Sequence, residues 1–287
     1  MQIRTYSKKI FSILFAFTVV FAFQATDAQA QGDLLVTPKR LIFEGQKRSH
    51  ELNLANIGTD TATYVISFIQ YRMRQDGTFE SITQPDSAQL FADKNLRFFP
   101  RTVTLAPKEA QTVKVQLTKS NELIAGEYRS HIYFRAVLKE KPLGDFEPSK
   151  DSTISIKLNP VFGISIPAIV RVGDNNSEIS LSNISVNMHK DTIPVLTVDF
   201  NRKGNMSVYG DLLVDHISDE GQVTKVGLVK GMAVYTPNAI RRFNLMLNPR
   251  VNYKKGKLHL VYSDQTSKLS KPVEAEVDLR KDVVTAK

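Results

Sequence analysis

The chain has 287 residues, no cysteine and no tryptophan, and 42 % of its residues are hydrophobic. The absence of cysteine excludes disulfides, thiolate metal sites, cysteine nucleophiles and acylation of an N-terminal cysteine. The formal charge of +9 is carried by lysines and arginines spread along the chain. This spread favours a solvated basic surface or acidic partners over a nucleic-acid site, where basic residues cluster beside aromatic ones.

The first 30 residues have the pattern of a secretory signal peptide. Arg4, Lys8 and Lys9 precede an apolar run at 10–23, and small residues at 28–30 offer a cleavage site. The alternative is a membrane anchor, but an apolar run of about 14 residues is shorter than the roughly 20 needed to span a bilayer. We therefore expect residues 1–30 to be removed on export, with no membrane segment left in the mature chain.

Residues 31–171 alternate between strand patterns and turns. The segments are rich in β-branched and aromatic residues with a period near two, which is typical of strands with one buried face. They lie at 40–45, 49–58, 63–73, 102–107, 112–118, 129–138 and 152–171. Only 86–96 could form a short helix, and an Asp-Gly pair within 75–79 indicates a hairpin. Seven strands in about 140 residues predict an antiparallel sandwich of immunoglobulin type.

The last of these segments is unusually long and regular. Every even position from Ile154 to Val170 is apolar, whereas the odd positions are mostly Ser, Lys, Asn or Gly until Pro167. Such alternation gives an extended strand one apolar face. Its length is about three times that of an ordinary strand. An exposed strand of this kind is an aggregation hazard, which suggests that the chain uses it.

A polar, turn-forming stretch at 172–178 separates the first series of strands from a second. We place the domain boundary after Arg171, so that 172–287 form a second β-sandwich. The chain is thus predicted to be all-β, with two immunoglobulin-like domains in tandem. The second series of strand patterns lies at 179–189, 194–202, 210–218, 226–235, 241–247, 257–264 and 273–279.

The sequence offers no constellation typical of an enzyme. The five histidines are far apart and form no metal-binding pair, and there is no glycine-rich phosphate loop and no nucleophile elbow. The acidic residues are scattered, without a pair that the sequence alone brings together. We therefore expect no catalytic residues, no metal and no cofactor.

Three segments in the first domain, in this order, resemble the periplasmic pilus chaperones of the PapD type. An early arginine followed by a Phe-acidic-Gly turn and an L-x-L-x-N strand occurs in 35–58. A P-x-x-x-x-L-x-P-x-x-x-Q-x-V-x-V pattern is matched in 96–117, and 126–137 is similar to the strand that precedes the family's F–G loop. The second domain fits only in size and strand count. The family has an immunoglobulin-like fold and is an example of binding by strand addition.

The resemblance implies a use for the long strand. In these chaperones the last strand of the first domain is lent to a pilus subunit that lacks one strand of its own sandwich. On this interpretation Ile154, Ile156 and Leu158 fill the subunit's groove, with Phe162 belonging to the donor strand but lying closer to the chaperone's own core. The alternative is that all four residues simply fill the core of the first domain.

The resemblance also implies a pair of basic residues in the cleft between the domains, which hold the C-terminal carboxylate of the subunit. Arg40 matches the arginine of this pair, the alternative being an ordinary surface arginine. The lysine is missing, since its place falls on Gly163 or Ser165. Lys157 lies too early and Arg171 too late to be a clear substitute.

We therefore interpret the chain as a periplasmic, ATP-independent chaperone that binds pilin-like subunits by donating a strand. The resemblance allows for an outer-membrane usher as a further partner and for a self-capping homodimer, and it implies no nucleic acid. The alternative is an exported structural or adhesive surface protein, in which the long strand is core or a self-assembly edge.

Overall fold

A computed structural model describes residues 33–137, 161–190, 192–265 and 271–280. Within these ranges the regular structure consists of 18 β-strands and two 3-10 turns of three residues each. The strands form two sandwiches, the first from β1 to β11 and the second from β12 to β18, numbered in chain order. The prediction of an all-β chain with two tandem immunoglobulin-like sandwiches is confirmed. The domain bounds placed at 31–171 and 172–287 stay a prediction.

The first sandwich packs a four-stranded sheet against a five-stranded one. The four-stranded sheet has the order β1 (Leu34–Thr37), β3 (Ser49–Asn56), β9 (Ala110–Leu117), β7 (Leu96–Phe99). The five-stranded sheet has the order β2 (Leu41–Phe43), β11 (Gly163–Val172), β10 (Gly126–Ala136), β4 (Ala62–Ile69), β8 (Thr102–Leu105). A separate hairpin is formed by β5 (Tyr71–Met73) and β6 (Phe79–Ser81).

The strands of this sandwich form where the sequence alternates. In β9 the apolar residues Val113, Val115 and Leu117 are buried and the polar residues between them are exposed. Side chains two apart on a strand share a face, so this pattern buries one face of the sheet and solvates the other. The core between the sheets includes Leu41 and Phe43 of β2, both 0 % exposed.

The strands β10 and β11 form the longest pair of the first sandwich, antiparallel from Gly126–Val172 to Arg135–Gly163. On its other side β11 pairs with β2 in parallel, but only at Ala168, Ile169 and Val170. Among the described strands, none pairs with that edge of β11 between Gly163 and Pro167. The first half of β11 thus has an edge with backbone groups available for another strand.

The second sandwich packs a three-stranded sheet against a four-stranded one. The first has the order β12 (Glu178–His189), β13 (Ile193–Lys203), β16 (Ile240–Met246). The second has the order β15 (Val223–Val234), β14 (Val208–Ile217), β17 (Lys257–Asp264), β18 (Val273–Asp278). The core between them is centred on Phe200, which meets Tyr262 edge to face with 5.3 Å between ring centroids.

Two local predictions in the first domain are wrong. The segment 86–96 forms no α-helix, and only Asp93–Asn95 make a 3-10 turn. Phe162 is 46 % exposed and does not lie close to the core. The reason is its position: it precedes the first residue of β11, and Ile164 is the first residue of the strand that packs against the core.

Candidate functional site

The strands β10 and β11 turn one face toward the core of the first sandwich and the other toward the second domain. Ile166, Ala168 and Val170 of β11 belong to the first core. Ile169, between them, belongs instead to a small apolar cluster with Ala233 and Tyr235 of the second domain and Met73 of the hairpin. Ordinary strand alternation therefore gives β11 a second face that contacts the second domain, and this region of contact is the cleft between the domains.

A buried ion pair of the first domain lies in this cleft and contacts Ser207 of the second domain. Arg171 Nε donates to Glu127 Oε2 at 3.1 Å, and the two side chains are only 1 % and 0 % exposed. Ser207 of the second domain adds its backbone N–H and its hydroxyl, which donate to the same carboxylate oxygen at 3.0 and 2.7 Å. Arg171 Nη2 in turn donates to the carbonyl of Ser207 at 2.8 Å.

This arrangement pairs both charges within the protein and leaves only Nη1 of Arg171 without a hydrogen-bond partner. A buried ion pair is tolerated only when hydrogen bonds replace the water that each charge has lost. Here Glu127 and Arg171 come from neighbouring strands of the first domain. Ser207, in the second domain, accepts a hydrogen bond from Arg171 and donates two to Glu127. The domains are thus held in one relative position through this contact.

Arg40 lies in the same cleft but has no carboxylate. Its guanidinium carbon is 3.9 Å from the centroid of the Tyr209 ring. All three of its side-chain nitrogens are shielded from solvent and lack a hydrogen-bond partner. A buried guanidinium without acceptors is costly, because it has lost its water without gaining protein bonds. Arg40 therefore has unused capacity to bind an anion.

Arg129, on β10, is the second cation of this kind. It is 3 % exposed, and its guanidinium carbon is 4.2 Å from the centroid of the Tyr235 ring. Its Nη2 donates to the backbone carbonyls of Tyr71 and Thr236 at 3.3 and 3.4 Å, while Nη1 is buried without a partner. Burial lowers the pKa of this guanidinium, and the nearby Tyr235 and Glu127 partly offset that effect.

His131 lies two residues further along β10, in an aromatic environment. The centroid of its ring is 4.9 Å from that of Tyr71 and 5.7 Å from that of Phe79. Burial, together with the positive charge of Arg129, lowers the pKa of His131 to about 3. The imidazole is therefore neutral in the neutral pH range and adds no charge to the cleft.

The β5–β6 hairpin lies at one side of the cleft and forms hydrogen bonds with the second domain. The backbone N–H of Arg242 in the second domain donates to the carbonyl of Gln75 at the hairpin's turn, at 2.7 Å. Asn238 Nδ2 donates to the carbonyl of Met73 at 2.8 Å. The hairpin is itself held to the first domain by a bidentate ion pair between Arg72 and Asp86. It therefore contacts both domains.

The structure brings one of the sequence-predicted site residues into the cleft. Arg40 is there, whereas Phe162 is an exposed residue just before β11. The donor residues Ile154, Ile156 and Leu158 lie outside the described residues, as does Lys157. The role assigned to each of these residues stays a prediction.

The strand register shows which residue of β11 lies beside Arg40. Leu41 pairs in parallel with Ala168, so the residue of β11 next to Arg40 is Pro167, and not Gly163 or Ser165. Arg171, which the sequence analysis judged too distant, is already bound to Glu127. Neither residue supplies a second free cation.

The sequence analysis did not identify Arg129, Tyr209 or Tyr235. The available signal was weak: Glu127, Arg129 and His131 place a polar residue at alternate positions of a strand. That pattern is ordinarily typical of a solvated face. Only the position of the second domain shows that this face is covered.

Within the described ranges, no group of three or more histidine or acidic residues could hold a metal ion. The same part of the chain has no helix with the length and hydrophobicity needed to cross a bilayer.

Comparison with known proteins relates the chain to solved structures alone, since no protein-family model and no curated protein matches it. It is similar to the YadV chaperone, at 15 % identity and a TM-score of 0.42, over 86 % of this chain and 99 % of that one. It is similar to the Pseudomonas aeruginosa CupB2 chaperone, at 12 % identity and a TM-score of 0.39, over 85 % and 99 %. A third similar structure is the Salmonella enterica SafA pilin in complex with the SafB chaperone. The identity is 10 % and the TM-score 0.40, over 87 % of this chain and 99 % of that one.

The similar structures are chaperones, several of them named for fimbriae or pili. At these identities and TM-scores, the function has to be derived from the chain's own residues.

Proposed function

We propose that this chain is a divergent pilus-type chaperone that binds an incomplete β-sandwich subunit, and that Arg40 anchors the C-terminal carboxylate of the subunit. The observation that carries the proposal is the buried guanidinium of Arg40, which has no hydrogen-bond partner and lies beside the open edge of β11. A cation and a free strand edge at one place fit an extended chain that ends in a carboxylate.

The anchor has a clear energetic basis. A carboxylate can accept two parallel N–H bonds from one guanidinium, and such charge-assisted bonds are about twice as strong as neutral ones. Each contributes about 1.5–3 kcal/mol. The gain is large here because the nitrogens of Arg40 are already out of water in the free protein, so little hydration of the cation is lost on binding.

The open edge of β11 supplies the rest of the binding surface. A partner strand added along Gly163–Pro167 would satisfy its backbone groups, and the sequence continues upstream with Ile154, Ile156 and Leu158 on one face. Burying each of these side chains in a groove of the subunit contributes about 1.5–3 kcal/mol. The carboxylate anchor would fix the register of this strand, since a slip of one residue turns every side chain to the wrong face.

The predicted signal peptide supports a setting outside the cytoplasm. An exported chain acts outside the cytoplasmic nucleotide pool, so we propose that it works in the periplasm and without ATP. Release would then depend on an acceptor for the subunit, for which an outer-membrane usher is the candidate. A homodimer joined through the same edge would protect the strand when no subunit is bound.

The test is co-purification of the protein from its native periplasm, with mass spectrometry of what accompanies it. The variant Ile154→Asp/Ile156→Asp places two charges on the apolar face of the donor segment. The matched control, Thr153→Asp/Ser155→Asp, places the same two charges on the opposite face of the same segment.

We expect the wild type and the control to carry a small β-rich partner and the Ile154→Asp/Ile156→Asp variant to be folded but alone. Equal recovery of the partner by all three proteins would contradict strand donation. A wild type that is recovered alone and forms ordered polymers would favour a structural surface protein instead.

A further inference from the structure

Besides Arg171, whose Nη1 also lacks a partner but whose charge is paired with Glu127, two arginines in the cleft have shielded guanidinium N–H groups without acceptors. These are the three nitrogens of Arg40 and the Nη1 of Arg129. Buried donors in folded proteins nearly always have a partner, so each exception calls for an explanation. Two such cations in one cleft indicate a place where the chain can bind an anion.

The two guanidinium groups are positioned by neighbouring rings. Arg40 stacks on Tyr209 and Arg129 on Tyr235. Tyr209 pairs with Ala233 across the β14–β15 ladder, so Tyr235, two residues further on, is its diagonal neighbour. Diagonal neighbours in a sheet are about 7–8 Å apart. Both tyrosines pack in the apolar cluster around Ile169.

Two guanidinium groups that stack on neighbouring rings can share a single carboxylate. Charge-assisted N–H···O bonds are about 2.8 Å long, so a carboxylate held from both sides separates the central carbons of two guanidinium groups by roughly 8 Å. The positive charges of both arginines act on the same hydroxyl: burial raises the pKa of Tyr235, and Arg40 and Arg129 oppose that rise. Because each guanidinium lies against one ring of the Tyr209–Tyr235 diagonal pair, the two cations are neighbours in the cleft.

We infer that Arg129 is the second basic residue of the carboxylate anchor, and that its Nη1 and the guanidinium of Arg40 hold the terminal carboxylate of the subunit from two sides. The inference rests on the proposed function and assigns a second residue to it. The β11 residue beside Arg40 is Pro167, which has no donor, so the second cation comes from β10, the next strand of the sheet.

The remaining bonds of Arg129 give it the rigidity that an anchor requires. Its Nη2 is fixed by the carbonyls of Tyr71 and Thr236, one from each domain. One edge of the guanidinium is thus held by the protein while Nη1 is left for a ligand. Because donors positioned before binding lose little entropy on binding, such a group contributes more affinity than a mobile lysine.

The test uses the exported protein and two probes, N-acetylphenylalanine and its primary amide, which differ only at the carboxylate. Binding is followed by NMR through the Nε–H signals of the arginine side chains. The variants are Arg40→Gln and Arg129→Gln. The matched control is Arg135→Gln, which removes one positive charge from an exposed position on the same strand as Arg129.

We expect the wild type and Arg135→Gln to prefer the acid to the amide by about tenfold or more, as a charge-assisted bond predicts. In both Arg40→Gln and Arg129→Gln this preference should fall to about threefold or less. If Arg129→Gln retains the full preference while Arg40→Gln loses it, the role of Arg129 is overturned and the proposed function stands. A wild type without any preference overturns the carboxylate anchor itself.

The wild-type spectrum gives a second test that does not depend on the variant folding. The Nε–H signal of Arg129 should shift with the acid and stay unchanged with the amide. A signal that responds equally to both probes, or to neither, would overturn the inference.

Discussion

Arg171 and Arg40 are both arginines of the first domain in the cleft between the domains, yet only Arg171 is paired with a carboxylate. Arg171 is enclosed by Glu127 and Ser207, and its charge is paired within the chain, although its Nη1 has no acceptor. The guanidinium nitrogens of Arg40 are equally shielded from water and have no acceptor at all. A cation whose partner belongs to the chain has a structural role, whereas a cation without one has unused binding capacity.

The largest effect is expected from breaking the satisfied pair. Glu127→Ala leaves Arg171 buried and uncompensated, so we expect a loss of about 3–5 kcal/mol in the free energy of unfolding. Urea denaturation measures this loss. Glu127→Leu/Arg171→Met, which removes both charges, should regain much of it. A loss below about 1 kcal/mol in Glu127→Ala would show that the pair does not hold the domains together.

His131 is a further buried basic side chain in the cleft, and unlike the two arginines it is neutral at neutral pH. Its pKa is lowered to about 3 in the folded protein, against about 6.5 in the unfolded chain. Between these values the unfolded chain binds the additional proton, so folding stability decreases as the pH falls from 6.5 toward 3. The slope from this one group is about 1.4 kcal/mol per pH unit.

The variant His131→Phe retains a ring between Tyr71 and Phe79 and removes the titrating group. We expect the free energy of unfolding of the wild type to fall more steeply with acid than that of the variant. Denaturation at pH 6.5, 5.5 and 4.5 separates the two slopes. Parallel slopes would mean that His131 is accessible to protons in the folded protein.

The smallest effect is expected at Arg40, and it is the most direct test of the contrast with Arg171. Arg40→Met removes an unpartnered buried cation and loses a cation–π contact worth about 0.5–2 kcal/mol. Since these effects oppose each other, the free energy of unfolding should change by about 1 kcal/mol or less. A loss of several kcal/mol in the same urea assay would show that Arg40 has a structural role after all.

The sequence predicted the strands well because their pattern is local. In β9, for example, alternation alone identifies the buried face of Val113, Val115 and Leu117. The predicted helix at 86–96 failed because side chains fix the backbone as a turn there. Gln89 donates to the carbonyl of Tyr71, and Asp86 binds Arg72. Such contacts join residues that are distant in sequence, and no periodicity indicates them.

Only part of the site was predicted, because only part of it has a local sequence pattern. Arg40 was found because it belongs to a motif that includes Phe43 and the turn that follows. Arg129 was missed because a polar residue on the outer face of a strand has the same pattern whether water or another domain covers it. Whether water or another domain covers Arg129 depends on the position of Tyr235, which is more than 100 residues away in the sequence.

The strand β10 carries Glu127, Arg129 and His131 on one face and Tyr128, Ile132 and Phe134 on the other. Since side chains alternate, a shift of this strand by one residue against β4 or β11 would move a carboxylate, a guanidinium and an imidazole together into the apolar core. Only the correct register both fills that core and joins the domains. The same strand thus couples the packing of the first core to the contact between the domains, and a chain in which Arg129 is misplaced cannot form that contact.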